Sequence, residues 1–82
     1  DNKMTGPKLL DALRDFFDEK KKKQRKNIDD LLKIISKLEH YQKKLEQELN
    51  DETKKRKIEE IKAELEVVKR KCSKAHKLLK SL

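Results

Sequence analysis

Tryptophan is absent from this chain, and glycine, proline, cysteine and tyrosine occur once each. Each scarcity removes a class of function. One glycine cannot build a glycine-rich phosphate loop, whose backbone must approach the phosphate with no side chains in the way. One cysteine cannot close an intramolecular disulfide, which suits a reducing compartment and points to the cytoplasm. With aromatic residues at only 4%, no base-stacking platform for single-stranded nucleic acid is in view. No apolar run approaches the ~20 residues of a membrane-spanning helix, and none resembles the hydrophobic core of a signal peptide.

Charge is what the chain has in abundance. Over 82 residues, 49% are charged, 33% are hydrophobic, and the net charge is +8. That leaves too little apolar material for a conventional globular core. Long helices escape this limit, because they satisfy their backbone internally and need only a narrow apolar seam.

Such a seam is clearest near the end of the chain. Ile58, Ile61, Leu65, Val68, Cys72, Ala75, Leu79 and Leu82 alternate steps of three and four residues, the a/d spacing that keeps one stripe of a helix facing a partner helix. A second seam comprises Ile28, Leu31, Ile35, Leu38, Leu45 and Leu49, with the polar Gln42 at one a position. Leu32, Ile34 and Tyr41 widen its face, and a stripe wider than a/d calls for more than one neighbouring helix. The heptad fails between Leu49 and Ile58, where Asn50, Asp51 and Thr53 favour a turn by bonding the local backbone. A turn over 50–53 returns the second helix, 54–82, antiparallel to the first. Charge favours this pairing. Residues 28–53 hold four lysines against seven acidic residues, whereas 54–82 hold eleven basic residues against four glutamates.

Before the first seam, residues 1–6 show no period and are expected to be disordered. Pro7 suits a first helical position, where its missing N–H costs nothing. Leu9, Leu10, Leu13, Phe16 and Phe17 then form an apolar stripe over 9–17. The run Lys20, Lys21, Lys22, Lys23, Gln24, Arg25, Lys26 follows, with six positive charges and no negative one. Leu10, Phe17, Gln24, Leu31, Leu38 and Leu45 fall seven apart, which favours one helix continuous over 7–49. Against continuity, Asn27 followed by Asp29 and Asp30 resembles a helix N-cap.

The expected fold is therefore all-α: an antiparallel coiled-coil helical hairpin with a long first helix and a shorter second. Residues 7–19 would overhang the second helix. Their apolar side chains, with Leu32, Ile34 and Tyr41, would need covering by self-association, by a fold-back of the N-terminal segment or by a protein partner, and a homodimer forming a four-helix arrangement requires the fewest assumptions. The seam running to the last residue suggests a piece of a longer protein.

No catalytic constellation emerges. Cys72 and His76 share a helix face but supply only two of the four ligands of structural zinc, so they read as a small seam residue and its flank. His40 has no nucleophile–base arrangement around it. Glu59, Glu60, Glu64 and Glu66 lie among lysines as a solvated face. No enzyme, cofactor or metal is expected. The function expected is that of a structural or interaction module, self-associating or docking a protein partner. The alternative is an anionic-surface binder. In that reading Lys20–Lys23, Arg25, Lys26, Lys74, Lys77 and Lys80 bind an anionic membrane, anchored by Leu9–Phe17, or less favourably nucleic acid.

Overall fold

The computed structural model describes residues 6–82, so residues 1–5 of the expected disordered segment lie outside the described residues. Among those described, all regular structure is α-helical. α1 spans Gly6–Phe17, α2 Lys21–Lys26, α3 Ile28–Asp51 and α4 Lys55–Ser81. The molecule measures 47 × 28 × 16 Å.

α3 and α4 pair as a hairpin, and the pairing follows from their apolar stripes. Leu31, Ile35, Leu38 and Leu45 of α3 are buried together with Leu65, Val68, Cys72 and Ala75 of α4. Leu49, Ile61, Leu78, Leu79 and Leu82 pack partly buried around them. The direction is set by cross-helix contacts, Tyr41 to Glu64 near the turn and Glu39 to His76 farther from it.

The turn lies slightly later than the sequence suggests. Asn50 and Asp51 stay in α3, and the chain reverses through the extended residues Glu52 to Lys54. Glu52 supplies the local bond there, its Oε1 accepting from the Lys54 backbone N–H at 3.1 Å. Among the described residues none has a positive φ. This is why the reversal forms without glycine.

The expected continuous helix over 7–49 is not what forms. α1 ends at Phe17, residues 18–20 turn the chain, and Asn27 separates the six-residue α2 from α3. Gly6, expected to be disordered, opens α1. The break at Asn27 is slight. Its N–H still donates to the Lys23 and Gln24 carbonyls, and its own carbonyl accepts from Asp30 and Leu31. The break at 18–20 changes direction altogether, and α1 folds back against α3 and α4. Its alignment with α3 is antiparallel: Gly6 lies against Tyr41, while Phe16 shares a groove with Asp30 and Ile34.

Energetics explain the reversal. Leu9, Leu13 and Phe16 are 2%, 1% and 5% exposed, and each fully buried side chain of this size contributes roughly 1.5 to 3 kcal/mol. A straight helix would hold all three in water. The reversal leaves the last carbonyls of α1 short of partners, with Phe16 keeping only the Glu19 N–H at 3.2 Å from the backbone. Gln24 meets that cost. Its side chain is buried at 4% exposure, and its Nε2 donates to the Phe16 carbonyl at 2.9 Å and to that of Phe17 at 3.4 Å. A net hydrogen bond contributes about 0.5 to 1.5 kcal/mol, so burial drives the fold-back and Gln24 makes it affordable.

Two substitutions test this arrangement. Leu13→Ala should cost about 2 to 5 kcal/mol in urea denaturation, whereas Leu32→Ala, at a side chain 46% exposed, should stay within about 0.5 kcal/mol. Equal, small effects would mean that α1 is undocked. Gln24→Leu takes the side-chain donor from both carbonyls and leaves Phe16 with the Glu19 N–H alone, so it should cost about 1 kcal/mol, although leucine is the more apolar residue.

Candidate functional site

The fold sorts the expected site residues into three groups. Those of α1 go inside. Leu9, Leu13 and Phe16 belong to the core, with Leu10 and Phe17 packed against it, so the expected overhanging apolar segment is instead the third helix of the bundle. This corrects their assignment as a surface for self-association or partners. A helix within the chain already covers them. Ile34 and Tyr41 likewise pack on the core, whereas Leu32 and Val67 remain exposed at 46% and 42%.

The basic residues form the second group. Lys20 to Lys23, Arg25 and Lys26 are all exposed, and Gln24 alone turns inward. Lys23 pairs with Glu19 at 3.5 Å, the one ion pair recorded for this run among the described residues. Lys74, Lys77 and Lys80 are exposed on the last turns of α4. Because α4 runs antiparallel to α3, they lie toward the same end of the molecule as α2. The second basic run, Lys54 to Lys57, sits at the opposite end beside the hairpin turn. Arg56 there pairs with Glu60 at 3.8 Å.

The third group crosses between α3 and α4. The Tyr41 hydroxyl donates to Glu64 Oε2 at 2.8 Å. Burial, followed by that hydrogen bond and the charges of Glu64 and Glu48, pushes the phenol up to about 12. Gly6 fits beside the tyrosine because it has no Cβ; a Cβ would lie 2.5 Å from the ring carbon and the hydroxyl oxygen. Farther along, His76 Nε2 stands 3.5 Å from Glu39 Oε2. The buried Cys72 is close by, its thiol pushed up by burial and by the Glu39 charge. Glu39 was missed as a companion of Cys72 and His76 in the sequence. Nothing in the spacing of one helix reveals which residue of another faces it.

The Tyr41 contact carries a pH signature. A phenol whose folded value lies above its ordinary 10 stabilises the protein fully below pH ~10, and that contribution is lost as pH rises toward about 12. In a near-ultraviolet tyrosinate titration, Glu64→Gln should move the transition back toward 10. Gly6→Ala should do the same by displacing the ring from Glu64. A transition unmoved by either change would show that this contact is not held in solution.

No family model, no curated protein and no solved structure matches this chain.

Proposed function

We propose that this protein is a non-enzymatic interaction module that docks an acidic protein partner. In this reading α3 and α4 form an antiparallel coiled coil, α1 braces it, and the basic end of the bundle makes the contact. One observation carries the proposal: all six cationic side chains of residues 20–26 are exposed. The helix α2 fixes the backbone of five of them, Lys21 to Lys23, Arg25 and Lys26, which lowers the backbone entropy lost when they bind. Complementary charge then steers the partner and sets its orientation.

The competing readings lose their motives. A membrane anchor was expected from Leu9 to Phe17, but Leu9, Leu13 and Phe16 are interior side chains. Base stacking finds no aromatic ready for it, since Phe16 is buried, Phe17 packs against the core and Tyr41 is bonded to Glu64. Self-association through the α1 stripe would require undocking a helix. Among the described residues the large apolar side chains left in the open are Leu32 and Val67, two positions rather than a stripe. The single thiol, Cys72, suits a reducing, cytoplasmic setting.

Two charge reversals of equal size separate site-specific docking from net-charge attraction. Changing Lys20 to Lys23 to glutamate should weaken binding to immobilised polyglutamate at least tenfold, about 1.4 kcal/mol. Changing Lys54 to Lys57 to glutamate should weaken it far less. Added salt should weaken the wild-type complex. Equal losses from the two variants would refute a localised site. Stronger binding to anionic vesicles or duplex DNA than to polyglutamate would assign the basic end to those partners instead.

A further inference from the structure

We propose that Glu39, Cys72 and His76 form a binding site for a zinc-class divalent ion that ties α3 to α4. Cys72 and His76 lie four residues apart and so project from one face of α4, while Glu39 reaches them from α3. A carboxylate oxygen, the Cys72 Sγ and an imidazole nitrogen all lie within 4.8 Å of one another. Three atoms so spaced share a point no more than about 2.8 Å from each, the largest separation divided by √3. Zinc bonds run about 2.0 to 2.2 Å to nitrogen and oxygen and about 2.3 Å to sulfur. Shifts of less than about 1 Å, within the reach of rotating side chains, therefore close the shell.

The donor set selects the metal. Thiolate and imidazole are poor ligands for magnesium or calcium, which require several oxygens, whereas sulfur, nitrogen and one carboxylate oxygen suit zinc and its neighbours. Three protein ligands leave the fourth tetrahedral position to water. Entry is open from solvent, since the Glu39 and His76 side chains are 54% and 46% exposed. The sulfur lies on the inner side of the site, with Cys72 buried at 6% exposure. On binding, the Cys72 proton is released to solvent and the Sγ lone pair bonds the ion. The two positive charges of the ion then offset the repulsion between thiolate and carboxylate. The Glu39–His76 pair at 3.5 Å is replaced by bonds from both groups to one centre, any proton on the coordinating imidazole nitrogen leaving to solvent or moving to the other ring nitrogen.

The test uses the full chain with Co²⁺ as a spectroscopic substitute, followed by Zn²⁺ in calorimetry. Expected are one ion per chain, a near-ultraviolet thiolate-to-cobalt charge-transfer band that zinc displaces, and a rise in Tm with zinc that a chelator reverses. Cys72→Ser should abolish the band. Glu39→Gln and His76→Gln, at exposed side chains where the fold tolerates change, should each weaken zinc at least tenfold. His40→Gln, the other histidine and one absent from the cluster, should leave zinc affinity unchanged. Metal-free circular dichroism verifies that each variant is helical. Absence of the charge-transfer band in the wild type overturns the site, as does zinc affinity unaltered in both Glu39→Gln and His76→Gln. So does an equal loss in His40→Gln, which would mark capture by surface histidines.

Discussion

The burial of Leu9, Leu13 and Phe16 against α3 and α4 is the constraint on which the rest of the structure depends. A hairpin of two helices buries one seam per helix, and that is marginal against the backbone entropy of ordering so long a chain. The third helix changes the balance. It covers the half of α3 nearest its N-terminus and completes the enclosure of Leu31 and Leu38, both 0% exposed, together with Val68 and Ala75 across from them. Once α1 is inside, the basic run after it must lie on the surface as a connector. The most charged stretch of the chain is thereby fixed at one end of the bundle.

The seams of α3 and α4 were readable because period alone carries them, and a period of 3.5 names the buried face whatever the partner. Their pairing was readable too, since the phase jump between Leu49 and Ile58 excludes one straight helix. The fold-back of α1 was one of three ways to cover its stripe, and the spacing did not single it out. Leu10, Phe17, Gln24 and Leu31 keep seven-residue spacing through the bend, so periodicity gives the same answer for a straight helix and for a reversed one. Gln24 is the residue that separates them. As a seam residue it would be a polar intrusion, whereas in the structure its amide ends α1, a role decided by a carbonyl eight positions earlier. The width of the α3 face, with Ile34 and Tyr41 flanking the seam, did call for an additional helix. It was supplied from within the chain.

Electrostatics divides the surface along the same lines. Acidic residues concentrate on α3 and basic ones on α4 and α2, yet the recorded ion pairs are spaced at 3.5 to 3.8 Å and mostly exposed. Exposed pairs of this kind contribute little to stability. Charge in this protein therefore acts mainly on orientation and on encounter with other molecules, while the apolar stripes hold the fold. Where charge does enter the interior side of the hairpin, it meets groups with chemistry of their own. Burial first, and then a glutamate on the facing helix, pushes the Tyr41 phenol and the Cys72 thiol above their ordinary values.

The bundle is also uneven along its length, since α1 lies against the half remote from the turn and leaves the turn end only two helices thick. Local opening is easiest where fewest apolar contacts must separate. That thin end carries Lys54, Lys55, Arg56 and Lys57 on an extended segment and the first turn of α4, so a protease that cuts after basic residues meets four consecutive sites where the bundle is two helices thick. A cut there does not sever the contacts among α1, α3 and the distal part of α4. The two pieces would stay together, and the protein could be divided into complementing halves at its turn without losing its core.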